Sequence, residues 1–414
     1  MNRDNELVHE AYINLKAGEL SWARRYAERA LLQADDNETK VKANYILSQT
    51  TDDPAEKRGF LETVLAYDPT HAEARRALAI LDGKLKPEEI VDANNLPASS
   101  GESASADRFT CPKCGARRIY SPDGNSLICE HCGYGDSLSA AGAASESDFF
   151  VAMATAKGHR KATAEFIFHC NGCGAEFVLA PGVISASCAY CASPHVVKLE
   201  DSRELLEPDG IIPHTLIKKQ VIEKLVFWVE LYEIQPERKV DLPRSIYLPL
   251  WTFDLGGGIN CSGEKYETET EGFQKVTRRV RVNQQYPLMV NDIPIPASRK
   301  TADLVTRVLP TFDLSAVKSY DPRYLANWPA EIYDIAMSDA SLEARAQVAQ
   351  HYLPRLRVEY SYLSKLTLST AGMTVESFKL VLLPVWITDI RFRGKTHAIL
   401  INGQNGRVVG DAPS

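Results

Sequence analysis

Leu248-Pro249-Leu250-Trp251-Thr252-Phe253-Asp254 returns downstream as Leu383-Pro384-Val385-Trp386-Ile387-Thr388-Asp389. Each copy sits in a stretch with the β-branched and aromatic content of a strand. Each precedes a glycine-marked turn and another strand. Residues 201–414 therefore read as an internally duplicated α+β domain with mainly antiparallel strands. Working outward, strands are expected at Ile211-Ile212, Ser245–Phe253, Ile259–Glu267, Lys275–Tyr286, Val358–Ser369, Phe378–Phe392 and Lys395–Ile401. Helices are expected over Lys218–Tyr232, Ala302–Val308 and Pro329–His351. Proline cannot donate to a ladder, so Pro249 and Pro384 point to an edge or a bulge. Trp251 and Trp386 are expected to be core anchors; the functional alternative is that both line one groove between the halves. Asp254 and Asp389 are not read as a carboxylate pair, because equivalent positions of a repeat can lie far apart.

Upstream, eight of the 9 cysteines form two copies of one spacing. The first is Cys111, Cys114, Cys129 and Cys132; the second is Cys170, Cys173, Cys188 and Cys191. In each, two C-x2-C pairs are separated by fourteen residues, as in four-thiolate zinc sites. Gly115, Gly133 and Gly174 follow the second cysteine of their pairs, where a positive φ folds backbone amides back toward the sulfurs. Pro122-Asp123-Gly124 and Pro181-Gly182 supply hairpin turns. Two tandem zinc ribbons follow, at 108–136 and 157–200, with a linker at 137–156. A closed four-cysteine shell leaves no position for an activated water, so two structural Zn2+ per chain and no catalytic metal are expected. The ninth cysteine, Cys261, reads as a plain core or surface thiol.

Residues 1–92 are helical. Ala11, Leu15, Ala23, Ala27 and Ala30 recur at helical spacing, and Gly18 divides two helices, about Asp4–Lys16 and Leu20–Gln33. Further helices are expected near Glu38–Ser48, Pro54–Ala66 and His71–Leu81, the last capped by Thr70 with Glu73 three residues on. The period is close to that of tetratricopeptide arrays, which predicts a surface for a protein partner. Residues 93–107 are small and polar and read as a flexible linker. The array and the first ribbon are thus expected to be tethered. With a net charge of -7 and no long apolar run, the chain is expected to be cytoplasmic and not inserted into a membrane.

The second ribbon, together with Leu309-Pro310-Thr311-Phe312-Asp313-Leu314, Tyr320-Asp321-Pro322-Arg323-Tyr324-Leu325, the two Trp motifs and Ile401-Asn402-Gly403-Gln404-Asn405-Gly406, resembles a group of bacterial zinc-ribbon proteins. Its members carry the labels TFIIB-type zinc ribbon or primosomal-protein-N′-like. The resemblance brings no catalytic residues. It implies a neighbourhood of membrane-stress proteins of the phage-shock-A and SPFH types. No apolar tail leads to Ser414, so a membrane role is expected to run through partners.

No phosphate loop, nucleophile elbow, dinucleotide fingerprint or H-E-x-x-H site is present. Gly256-Gly257-Gly258 reads as a strand connection and Asn402–Gly406 as a hairpin turn. The expected function is a non-enzymatic zinc-binding adaptor whose protein partner engages residues 1–92 and the ribbons. Nucleic-acid binding is the alternative. It rests on Arg108, Lys113, Arg117 and Arg118 in the first ribbon, and on Lys275, Arg278, Arg279 and Arg281 beside Phe273 and Tyr286.

Overall fold

The computed structural model describes residues 3–34, 36–90, 111–116, 118–122, 126–138, 142–155, 162–163, 167–171, 176–178, 188, 190, 196–199, 204–271, 274–326 and 328–410. The linker expected at 93–107 lies outside them, as do Arg108, Arg117, Phe273 and the Pro181-Gly182 turn.

Five helices open the chain: α1 (Arg3–Lys16), α2 (Leu20–Gln33), α3 (Asn37–Ser48), α4 (Pro54–Tyr67) and α5 (Ala72–Leu81). Each starts and stops within one residue of expectation. Ala11, Ala23, Ala27 and Ala30 are fully buried, so the first helices approach over methyl groups. Gly18, at φ +82°, turns α1 into α2. The cap of α5 differs from expectation. His71 Nδ1 accepts from the Ala74 amide at 3.2 Å, while the Thr70 hydroxyl is drawn to Asp68 at 2.6 Å.

The first ribbon is a three-stranded antiparallel sheet of β1 (Arg118–Ser121), β2 (Ser126–Cys129) and β3 (Gly135–Ser137). The segment expected to be a linker at 137–156 instead enters the C-terminal domain. There β4 (Ser147–Asp148) pairs with Ser377 and Phe378, and Asp148 caps α6 (Phe149–Ala154). Phe149 stands edge-on to Phe253 and Phe378, at 6.3 Å from each. The small polar residues ahead of α6 hid this element, which is held by a sheet far away in sequence. The array is not merely tethered either. Ile90 bridges to Thr155, and Arg75 makes two 2.9 Å bonds to the Glu376 carboxylate.

Within the segment that carries the second cysteine set, β6 (Ile167–Cys170) lies between β7 (Glu176–Val178) and β8 (Val196–Leu199), while β5 (Ala162–Thr163) pairs with β9 (Glu204–Leu205). The C-terminal domain follows with β10 (Gly210–Ile211), α7 (Lys218–Leu231), β11 (Arg244–Glu271), β12 (Gln274–Pro287), β13 (Val290–Pro296), α8 (Ala302–Val308), β14 (Lys318–Ser319), β15 (Ala330–Glu331), α9 (Met337–Glu359), β16 (Ser364–Ser369), β17 (Met373–Phe392), β18 (Lys395–Asn402) and β19 (Val408–Val409). The main path of the large sheet runs β14-β10-β17-β11-β15-β7-β6-β8, so β7, β6 and β8 extend it.

The two Trp motifs are direct neighbours. β11 and β17 pair antiparallel, Leu248 faces Leu383, and the register steps away symmetrically through Tyr247↔Pro384 and Pro249↔Leu382. A pseudo-twofold axis thus passes through the Leu248–Leu383 pair. Its outer strands obey it too: Pro249 O accepts from Ala297 N at 3.2 Å, and Pro384 O from Gly403 N at 2.8 Å. This explains two prolines in central strands rather than at the expected edges. Within a strand the amide and carbonyl of one residue point to the same side. Each missing N–H therefore faces the outer neighbour, at the end of its ladder, and the β11–β17 ladder loses no donor.

Strand alternation sorts the core. Ile246, Leu248, Leu250, Val381, Leu383 and Val385 form one cluster on one face. The other face carries two clusters, one holding Tyr247, Leu382 and Trp386, the other Trp251, Phe253 and Leu380. Trp251 and Trp386 are 0% and 6% exposed. They anchor separate clusters and do not line a shared groove.

Expected boundaries fail here for tertiary reasons, and the strand expected at Val358–Ser369 begins only at Ser364 because α9 runs on to Glu359. The strands expected at 245–253 and 259–267 are one strand, β11, which continues through Gly256-Gly257-Gly258. Gly257, at φ +86°, abuts the Gly372 carbonyl, and a Cβ at Gly258 would lie 2.6 Å from Tyr286 O. The glycines let β11 leave β17 and β13 and pair onward with β12 and β16. The helix expected over Pro329–His351 is α9, starting at Met337 and reaching Glu359. Its expected first turn is instead β15, where Ala330 pairs with both Tyr247 and Val178.

Candidate metal centre

Cys111 opens the first ribbon and Cys129 ends β2, and each begins the same knuckle. Cys111 N donates to Ala116 O (2.7 Å) and Gly115 N to Cys111 O (2.9 Å); Cys129 N donates to Tyr134 O (2.8 Å) and Gly133 N to Cys129 O (2.9 Å). Gly115 and Gly133 take φ of +71° and +69°, as the sequence required. The Sγ atoms of Cys111, Cys114, Cys129 and Cys132 all lie within 4.8 Å of one another. The Cys132 and His131 amides pull the Cys129 thiol down to about 6, so it offers a thiolate at neutral pH. Four convergent thiolates can hold one metal ion, and soft sulfur donors suit zinc.

This ribbon has almost no apolar core of its own. Among the described residues its buried apolar side chains, besides cysteines, are Tyr120, Leu127 and Leu138, and all three belong to the C-terminal cluster around Trp386. Tyr120 stands edge-on to His214 (5.0 Å) and Tyr324 (5.1 Å). His214 stacks on Trp328 at 4.0 Å, and Trp328 is edge-on to Trp386 at 5.0 Å. Burial pushes His214 down to about 3, so it is neutral here, with Nδ1 3.3 Å from the Tyr247 hydroxyl. Nearby Arg118, 8% exposed, bonds Asp136 at 2.7 Å. Sequence reasoning missed this aromatic contact. Its visible trace was Tyr320–Leu325, where Asp321 accepts from the Arg323 amide (2.9 Å) and seats Tyr324.

Of the second set, Cys170 and Cys188 are fully buried, while Cys173 and Cys191 lie outside the described residues. Cys170 closes β6 beside Val196, the first residue of β8. Tyr190, next to that set, is tied to the C-terminal domain through Arg244, which bonds both Tyr190 O (2.8 Å) and Asp389 (3.2 Å).

Asp254 pairs across the ladder with Ser377, twelve residues from Asp389 along β17, which is roughly 40 Å. They form no carboxylate pair. Glu146, Asp254 and Asp292 do converge, but Lys379 already contributes an ammonium, 3.1 Å from Glu146 and 2.8 Å from Asp292. Asn402–Gly406 is a hairpin turn with a further task. Asn402 Nδ2 donates to Thr311 O (3.0 Å), and Gln404 exchanges two bonds with the Asp313 backbone (2.9 and 3.0 Å). Two motifs noted separately in the sequence are therefore bonded to each other.

Glu331, 5% exposed, accepts from Thr301 Oγ1 (2.6 Å) and Ser298 Oγ (3.3 Å), and burial pushes it up to about 7. Its unfolded carboxyl ionises near 4.5, so its contribution is full below that pH and is lost as pH rises toward 7. Glu331→Gln should remove this loss. Urea melts at pH 5 and pH 8 should show the variant gaining on the wild type by on the order of 2 kcal/mol. An unchanged difference would mean that Glu331 ionises normally in the fold.

No family model matches the chain, and no solved structure matches it. A curated protein of Bacillus subtilis (strain 168), named "Uncharacterized protein YdjG", is 26% identical over 227 residues. The match covers 50% of this chain and 64% of that protein, so the chain spans less than two thirds of its relative's length. Among the described residues, no helix is long and apolar enough to cross a membrane.

Proposed function

We propose that this protein is a zinc-stabilised, non-catalytic adaptor that holds a protein partner on its helical array. The observation carrying this reading is a set of exposed apolar side chains near the turn where α1 hands over to α2. Tyr12, Ile13, Leu20 and Trp22 are 45–49% exposed there, with Lys16 over the Tyr12 ring and Arg25 over Trp22. Large apolar and aromatic side chains left exposed on neighbouring helices suit an association surface. In this reading the helices form a short tetratricopeptide-like array, the eight paired cysteines hold two zinc ions, and the partner comes from the membrane-stress class that the family resemblance implies. The pairing of Cys170 beside Val196 supports the second site, since it draws the two ends of that ribbon together. The test is capture of partners from native lysate by the full chain and by Tyr12→Ala/Trp22→Ala. A protein retained through nuclease treatment and lost with the variant supports the adaptor; equal retention by both sinks it.

One observation favours a second reading, nucleic-acid binding. The β11–β12 hairpin runs on beyond Glu264, where its pairing with β16 ends. Its register sets Arg279 opposite Tyr266 and Arg281 opposite Glu264, while Arg278 falls on the other face opposite Glu267. Tyr266 is 66% exposed, and Arg281 makes no ion pair among the described residues. β-Ribbons with cationic faces can follow a phosphate backbone. If this face binds, Arg279→Glu/Arg281→Glu should weaken a gel shift roughly a hundredfold and flatten its salt dependence, whereas Arg278→Glu should do neither. Equal effects from both variants would remove the arm as a specific site.

A further inference from the structure

We infer that the first ribbon is a metal-dependent plug on the aromatic face of the C-terminal domain, so that metal occupancy controls whether that face is covered. The inference rests on the zinc reading above and extends it to a surface nearly two hundred residues downstream. Three observations carry it. The ribbon's buried apolar side chains, Tyr120, Leu127 and Leu138, all pack into the C-terminal cluster, so they leave the ribbon no core with which to stay folded alone. The four thiolates are then the bond that shapes it, and losing the metal unfolds β1–β3. Those same side chains belong to the cluster that holds Tyr324, Trp328 and Trp386, and Tyr120 stands edge-on against both Tyr324 and His214.

The ribbon is therefore the named occupant of an aromatic surface that is otherwise open to another apolar segment. Two of its ligands, Cys114 and Cys132, are exposed, so a chelator or a competing thiol can reach the metal. Linkage makes the effect reciprocal. Whatever factor the metal contributes to docking, docking contributes to metal affinity.

The test is amide exchange on the full chain, with metal content measured on the same samples. Cys132→Ser should lose one metal equivalent and speed exchange across residues 320–328 by about tenfold or more, while α1–α5 stay unchanged. Tyr120→Ala should keep its metal at saturating zinc, yet open 320–328 and weaken zinc retention against a chelator by a similar factor. Loss of the metal from Cys132→Ser with 320–328 still protected overturns the plug, as does full protection in Tyr120→Ala. Wild-type protein purified without chelator and holding no metal would instead overturn the zinc reading itself.

Discussion

Trp251→Ala is expected to cost about 3–5 kcal/mol, enough to unfold most of the C-terminal domain under mild denaturant. Trp251 is fully buried, and its ring packs against Tyr333 (5.4 Å), Phe378 (6.1 Å) and Phe253 (6.4 Å). The pseudo-twofold makes Trp386 its counterpart, and here the copies diverge. Trp251 Nε1 donates to Ile335 O at 3.0 Å, whereas Trp386 Nε1 has no partner among the described residues. A conservative exchange separates the two terms. Trp251→Phe loses packing volume and leaves the Ile335 carbonyl unpaired, while Trp386→Phe removes a donor that the fold leaves unused. Urea titration should show Trp251→Phe as the more destabilised by about 1–2 kcal/mol. Equal losses would mean that the hydrogen bond contributes nothing beyond packing.

Asn402→Ala is expected to cost about 2–4 kcal/mol, although its side chain is small and touches none of the cysteines. Asn402 is fully buried, donates to both the carbonyl and the hydroxyl of Thr311 (3.0 and 2.9 Å), and accepts from the Gln404 amide at 2.7 Å. Alanine removes the donor to the Thr311 hydroxyl and the acceptor of the Gln404 amide in a partly buried site. The Thr311 and Asn402 segments lie 91 residues apart in the chain. The loss should therefore appear as fast amide exchange at residues 309–314 and 402–407 together. Stability within 0.5 kcal/mol of wild type would show that this latch is replaceable, for instance by the Asn405 side chain, which also reaches Thr311 O at 2.8 Å.

Much of this was legible in the residues. Helix spans in the array follow from small residues at helical spacing and from Gly18, which are local signals. The knuckles of the first ribbon follow from C-x2-C-Gly, because a tight turn over a shared ion needs both the spacing and a positive φ. The duplication was visible in Leu-Pro-x-Trp, and so was the burial of both tryptophans. What failed failed at non-local contacts. Pro329–Glu331 would serve in a helix, yet β11 and β7 offer it backbone partners on both sides. The residues ahead of Phe149 look like linker, yet Ser147 and Asp148 find an open edge of β17.

The sequence alone determined the modules: a helical array, four-cysteine spacings, and a doubled strand motif. Each depends on chemistry within a few residues, namely ligand spacing, helical period and turn-forming glycine. Only the tertiary structure decided how these parts meet. It set the two motifs against each other about Leu248 and Leu383, and it kept Asp254 far from Asp389. It also turned the first ribbon from a tethered module into part of a shared core, because Tyr120, Leu127 and Leu138 are too few to bury one another and must borrow the aromatic face of a domain folded from distant chain.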